Sequence, residues 1–110
     1  MRKRTIRIDL SIMQSSAEKA CALLKVLANP DRLLLMCQLS QGEWCVSDLE
    51  EQLGIRQPTL SQQLGVLREN NLVQTRREGK SIYYSIVSTE AIAVMAVLYK
   101  QFCSDADQQG

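Results

Sequence analysis

The stretch from Val46 to Leu72, V-S-D-L-E-E-Q-L-G-I-R-Q-P-T-L-S-Q-Q-L-G-V-L-R-E-N-N-L, constrains the fold more than any other part of the chain. Ser47 and Glu50 have the spacing of a capping box, in which each side chain satisfies a free amide of the first turn. The spacing therefore predicts a helix opening at Ser47 and carrying Leu49 and Leu53, with Ile55 just beyond. Gly54 supplies the left-handed residue that ends such a helix, and Pro58, with its fixed φ and missing N–H, suits the first turn of the next. In that next helix Leu60, Leu64 and Leu67 fall at i, i+4 and i+7 and make one apolar stripe, which turns Thr59, Gln62, Gln63 and Val66 outward. A small, amide-rich, nearly uncharged outer face on the second helix of a helix-turn-helix suits DNA, because a glutamine amide pairs bidentately with adenine in the major groove. The candidate contacts here are Arg56, Gln57, Thr59, Ser61, Gln62, Gln63 and Arg68. The plainer reading is an ordinary core stripe with a solvated polar face, since the same geometry occurs in proteins that never touch DNA.

The residues that follow favour the DNA reading. Val73, Thr75 and Arg77, then Ile82, Tyr84 and Ile86, alternate on either side of Glu78-Gly79, which predicts a two-stranded hairpin from Val73 to Val87. Its tip carries Arg76, Arg77 and Lys80, a basic wing suited to phosphates beside the recognition helix, although charged hairpin tips are also common as merely solvated turns. Between Gln52 and Val87 five cations (Arg56, Arg68, Arg76, Arg77, Lys80) face two acids (Glu69, Glu78), while the whole chain has a net charge of only +1. That imbalance fits a local nucleic-acid footprint and argues against nonspecific coating.

At 110 residues and 45% hydrophobic content, the chain suits a single small domain. No apolar run approaches a membrane span, and Met1 to Leu10 has Arg2, Lys3, Arg4 and Arg7 without an apolar region behind them, so a cytoplasmic protein is expected. Residues 1–14 read as a basic flexible arm and 105–110 as a disordered tail, leaving 15–104 as the folded domain. Ser15 with Glu18 is a second capping box, opening a helix through Ala17, Ala20, Cys21, Leu24 and Leu27. Asn29 and Pro30 begin another, apolar on nearly every side and therefore central, which Gly42 stops. Ser88 caps a last helix bearing Ile92, Met95, Leu98, Tyr99 and Phe102. The expected architecture is mainly α, a winged helix-turn-helix of about five helices plus a two-stranded wing. The first and last helices carry more apolar surface than so small a chain needs. They either pack on each other or, better, on a second copy, a homodimer whose two recognition helices read a palindromic double-stranded operator.

Leu24 to Leu39, L-K-V-L-A-N-P-D-R-L-L-L-M-C-Q-L, followed by the helix-turn-helix, the basic hairpin and a terminal helix, resembles the ArsR/SmtB family of dimeric winged-helix transcriptional repressors over roughly residues 15 to 103. Within it, Q-P-T-L-S-Q-Q-L-G-V-L-R with Cys37 and Cys103 is most similar to the BigR-like group. The resemblance implies a repressor that binds its operator when reduced and releases it when reactive sulfur species or oxidants modify its cysteines, with no cofactor.

The resemblance also frames the four cysteines, Cys21, Cys37, Cys45 and Cys103. The family fold implies that the helices carrying Cys37 and Cys103 meet, making this pair the expected redox switch; the plainer reading of Cys37 is a small buried hydrophobe. Cys21 suits core or dimer interface. Zinc sensing in the family uses carboxylate and His ligands on the terminal helix, and this chain has no His, so no metal site of that kind is expected. G-E-W-C-V-S-D-L resembles the family's metalloid motif, E-x-C-V-C-D-L, with Cys45 in the first thiolate position and Ser47 in place of the second, which leaves thiophilic metalloid sensing as the alternative. An enzyme is not expected, because there is neither a His to act as base nor a Cys-x-x-Cys motif.

Overall fold

The computed structural model describes the backbone of residues 5–109 and the side chains of residues 5–103. The described elements run α1 (Leu10–Leu27), α2 (Pro30–Leu39), β1 (Trp44–Cys45), α3 (Val46–Leu53), α4 (Thr59–Glu69), β2 (Val73–Glu78), β3 (Ser81–Ile86) and α5 (Thr89–Gln109). This is the expected winged helix-turn-helix of five helices, with one strand more than expected: β1 pairs antiparallel with β3, so the sheet order is β1-β3-β2.

Helix α2 sits at the centre. Asn29 Oδ1 accepts from the Arg32 amide at 3.1 Å and Pro30 fills the first turn, as expected of that pair. Leu35 and Met36 are fully buried, and α2 packs against α1, α3, α4 and β3. The stripe Leu60, Leu64 and Leu67 of α4 joins the same core with Leu49, Ile55, Leu72, Val73, Ala91 and Met95. Gly54 ends α3 in the left-handed region at φ 70°, and Ser88 Oγ accepts from the Ala91 amide at 3.1 Å to start α5.

Three expected boundaries differ. Helix α1 opens at Leu10, because Asp9 accepts from the Ser11 and Ile12 amides at 3.0 and 3.4 Å; Ser15 lies mid-helix, its Oγ donating back to the Ile12 carbonyl at 2.8 Å. The basic arm is correspondingly shorter than 1–14, and Arg2, Lys3 and Arg4 lie outside the described residues. Helix α3 begins at Val46 with Cys45 as its N-cap and no side-chain cap bond, so Ser47 is not a cap. The strand pairing Cys45↔Tyr83 sets that boundary instead, delivering the chain straight from β1 into the helix. Finally, α5 runs to Gln109 through the stretch read as a tail, with Gly110 outside the described residues.

The fold is long and flat, 54 × 39 × 21 Å. Its radius of gyration of 16.3 Å exceeds the ~13 Å expected of a compact chain this size. Helix α1 leaves Leu10, Ile12, Met13 and Leu24 exposed, and α5 leaves Ile92, Val97, Tyr99 and Phe102 exposed, the last at 81%. The two apolar faces therefore do not cover one another within the chain. Cys21 is exposed as well and is not core.

Replacing Leu35 with Ala should remove about 2–5 kcal/mol of stability, whereas Asn29→Ala should remove about 0.5–2 kcal/mol through the lost cap. Urea unfolding followed by circular dichroism gives both values; a smaller loss for Leu35→Ala than for Asn29→Ala would remove α2 from the centre of the core.

Candidate nucleic-acid interface and thiol cavity

Helix α4 is positioned from below by its leucine stripe, and its opposite side exposes Ser61, Gln62 and Arg68. Arg56 and Gln57 stand exposed in the turn before it. Gln57 has a structural task there: its Oε1 accepts from the Ser61 amide at 3.0 Å and so caps the helix start, where Pro58 offers no side-chain bond. Thr59, Gln63 and Val66 are only half-exposed, and Val66 packs on the core, so the outward face is narrower than the periodicity predicted.

At Gln63 the inward neighbour is Arg32 of α2, a residue not among the expected site residues. Its Nη1 donates to Gln63 Oε1 at 2.9 Å, its Nε to the Val26 carbonyl at 2.6 Å and its Nη2 to the Lys25 carbonyl at 3.4 Å. One guanidinium thus ties the end of α1 to α4. The one available signal was an arginine in the first turn of an otherwise apolar central helix, which needs partners for its donors.

The wing forms with a two-residue turn at Gly79-Lys80, Gly79 lying at φ 62°, and Glu78 belongs to β2, where the turn was expected to begin. Side chains alternate faces along β2, so the adjacent Arg76 and Arg77 part company. Arg76 turns to Glu43, with both carboxylate oxygens 2.9 Å from its Nε, pairs with Glu78 at 2.8 Å and lies 4.8 Å above the Tyr83 ring. Glu43 and then Glu78 raise its pKa above the ordinary arginine value. This differs from the expectation of three tip cations aimed at phosphate, since Arg76 is already neutralised within the chain. Arg56, Arg68, Arg77 and Lys80 are exposed and enter no ion pair among the described residues.

Away from this face, Cys37 of α2 and Cys103 of α5 line one cavity of about 220 Å³, together with Leu33, Met95, Leu98, Tyr99 and Phe102. Both are free thiols and half-buried. Burial, and then the nearby Cys103, push the Cys37 thiol above its ordinary value of 9.0. Cys45 is separate and buried; its Sγ donates to Asp48 Oδ2 at 3.1 Å and meets Ser47 Oγ at 3.3 Å. Among the described residues no three or more Cys, Asp or Glu side chains gather as a metal cluster, and no helix is long and apolar enough to cross a membrane.

Residues 29–75 match the family described as bacterial regulatory protein, arsR family. The biofilm growth-associated repressor of Agrobacterium fabrum is 52% identical over 97 residues, covering 88% of this chain and 83% of that protein. The crystal structure of the transcriptional repressor BigR from Xylella fastidiosa superposes with a TM-score of 0.84 at 47% identity, covering 87% of this chain and 98% of that one. Reduced HlyU from Vibrio cholerae superposes with a TM-score of 0.78 at 38% identity, over 83% and 96% of the two chains.

If the exposed, unpaired wing cations meet phosphate, Arg77→Ala or Lys80→Ala should weaken binding to any duplex and flatten its salt dependence by about one per lost contact. Arg76→Ala should leave the salt slope unchanged and lower the melting temperature, because its charge is spent on Glu43 and Glu78. Fluorescence anisotropy across a salt series separates the two, and an equal slope change for Arg76→Ala would place that residue on the DNA.

Proposed function

The chain belongs to the arsR family of bacterial regulatory proteins, and on that premise we propose that it acts as a homodimeric operator-binding repressor switched off through Cys37 and Cys103. Its coarse function is that of the family: a DNA-binding transcriptional repressor, not an enzyme. The single observation that supports the switch is the shared cavity, in which the central helix and the last helix each contribute one free thiol.

The chemistry balances without a metal. A peroxide oxidises one thiol to sulfenic acid and is itself reduced to water or an alcohol; the second thiol then attacks that sulfur, a disulfide forms and water leaves. A persulfide donor instead transfers a sulfur atom to one thiol and leaves as a thiol. The second thiol then attacks the inner sulfur of that persulfide, so that the disulfide forms and hydrogen sulfide leaves; where a peroxide first oxidises the outer sulfur, being reduced to water or an alcohol, the second thiol attacks that sulfur instead, water leaves and the bridge retains the extra sulfur. That one relative has been solved in a form designated reduced supports thiol redox chemistry as the input. The exposed apolar faces of α1 and α5 support a two-fold partner, and a dimer holding two recognition helices loses register on two half-sites if they shift by a few ångströms.

The metalloid alternative has one observation in its favour, the buried Cys45 beside Asp48, but its second neighbour is the Ser47 hydroxyl, a poor ligand for a soft ion.

The test is operator binding by gel shift with and without hydrogen peroxide, an organic persulfide and arsenite, with mass spectrometry of the adducts. Cys37→Ser and Cys103→Ser should bind DNA normally and ignore the first two reagents, which should lower wild-type affinity by about 1–3 kcal/mol. Cys45→Ser should respond as wild type. Release of Cys37→Ser by the inducer would remove the pair as the sensor, and loss of the response in Cys45→Ser would transfer the role to the metalloid site.

A pH dependence follows from the raised Cys37 thiol. A raised value keeps the group protonated and unreactive at neutral pH, so alkylation of Cys37 should accelerate by about tenfold per pH unit from 7 upward without levelling before 9. In Cys103→Ser the midpoint should fall and yet stay above 9.0, because burial is the larger cause. Iodoacetamide labelling read by peptide mass spectrometry measures it; a plateau below pH 8 would contradict the assignment.

A further inference from the structure

We infer that the cavity between α2 and α5 selects the inducer by polarity, taking an uncharged electrophile with a short apolar group, an alkyl hydroperoxide or alkyl persulfide, ahead of hydrogen peroxide or a charged thiol derivative. The inference rests on the thiol switch proposed above and adds which molecules reach it. Apart from its two thiols the cavity is walled by Leu33, Met95, Leu98, Tyr99 and Phe102, and no charged side chain lines it among the described residues. Met95 is buried whereas Tyr99 and Phe102 are exposed, so the two aromatic residues stand on the side where a molecule enters from solvent. At about 220 Å³ the space is smaller than the roughly 300–1,000 Å³ of a drug-sized site, and at about 30 Å³ for each water it equals about seven waters. A group of a few carbons fills it, and one the size of a tripeptide does not enter.

Two effects separate the inducers. Hydrogen peroxide or an ionic group gives up its hydration on entry and regains little, because apolar walls supply few hydrogen-bond partners and no countercharge. The Cys37 thiol already registers this, since burial, the larger cause of its raised value, keeps its thiolate scarce. An alkyl group has the opposite balance: it leaves water for Leu33, Leu98 and Phe102, and each methylene that an apolar pocket takes up is worth about tenfold or more in rate. With a hydroperoxide, the thiolate of one cysteine attacks the terminal oxygen and the O–O bond breaks. The cysteine becomes a sulfenic acid, and the alkoxide takes a proton and leaves as the alcohol; the second thiol then attacks the sulfenic sulfur and water leaves. With a persulfide, the thiolate attacks the outer sulfur and the apolar thiol leaves. In both, the apolar group seats the reacting atom beside the thiols and departs with the leaving group, so it does not obstruct the bridge.

The experiment follows the loss of free Cys37 and Cys103 by peptide mass spectrometry in the full-length reduced protein, with each rate divided by that of the same reagent on N-acetylcysteine. Tert-butyl hydroperoxide is compared with hydrogen peroxide, and an alkyl persulfide with glutathione persulfide. Ethyl, ammonioethyl and sulfonatoethyl methanethiosulfonates are compared with one another; each forms a mixed disulfide, releases methanesulfinate and differs from the others mainly in charge. The uncharged alkyl reagent should lead by about tenfold in every comparison, and both signs of charge should be slowed. Leu98→Gln, which makes one wall polar, should shrink that lead. Release of a promoter-region duplex, measured in parallel, tells the two sources apart, the hydroperoxide or the persulfide acting at the lower concentration. Equal relative rates, or a charged reagent ahead of the ethyl one, overturn the inference; an undiminished lead in Leu98→Gln overturns the assignment of selectivity to the cavity walls. Should Leu98→Gln not fold, the wild-type comparisons decide by themselves. Failure of every reagent to modify Cys37 and Cys103 would instead overturn the proposed switch.

Discussion

The contact on which the rest of the molecule depends is apolar: Leu60, Leu64 and Leu67 of α4 packed into one core with Leu35, Met36 and Leu39 of α2. Each leucine in a core of this kind contributes about 1.5–3 kcal/mol by leaving water, and the stripe can bury only one side of an eleven-residue helix. Burying that side decides the other. Ser61, Gln62 and Arg68 are outward because the leucines are inward, and the left-handed turn at Gly54 holds α3 and α4 in the relation that keeps α4 exposed along its length. The wing depends on the same core through Val73, which is buried and paired with Ile86, so the hairpin and α4 are carried on one base.

Features that depend on neighbours within a few residues were legible in the sequence. The leucine stripe, the Gly54 turn, the Asn29 and Ser88 caps and the hairpin all obey local rules, and each took the expected form, with the turn displaced by one residue. Features that depend on distant partners were not legible. Arg76 belongs to Glu43, 33 residues before it, and Gln63 to Arg32, 31 residues before it; no periodicity announces either bond. Strand β1 is two residues long and exists only because β3 offers an edge at Tyr83 and Tyr84. The capping-box spacings at Ser15 and Ser47 misled for a related reason. A serine caps a helix only if the preceding residue has left it, and Asp9 in the one case and the β1–β3 pairing in the other had already fixed where the helix starts.

The thiol pair shows how burial sets both chance and selectivity. A cysteine pushed up by burial is a poor nucleophile in bulk terms, which protects Cys37 from casual oxidation; in the proposed switch the second thiol of the same cavity captures any sulfenate or persulfide that does form. The lining of Leu33, Met95, Leu98 and Phe102 supplies the low-dielectric surroundings that raise the thiol and carries no charge that would lower it. Cys45 stands in a different setting, hydrogen-bonded to Asp48 at the start of α3, where its part in the architecture is to bond the first turn that no serine caps.

Helix α2 joins these two regions. Arg32 and Cys37 are five residues apart on it, which at 100° per residue places them about 140° apart around the axis. One side chain therefore reaches α4 while the other lines the cavity against α5. Leu35, Met36 and Leu39 fix α2 in the core, and an interior at crystal-like density cannot absorb a shift by compressing, so the helix moves as a body. In the proposed switch, a bond that draws Cys37 toward Cys103 acts on the whole of α2, and the Arg32 fork transmits that displacement to Gln63 through a bond of 2.9 Å. The coupling required is small. A tenfold loss of operator affinity corresponds to about 1.4 kcal/mol, comparable to one charge-assisted hydrogen bond, so misplacing the Gln63 amide in each of two subunits is sufficient without any larger rearrangement.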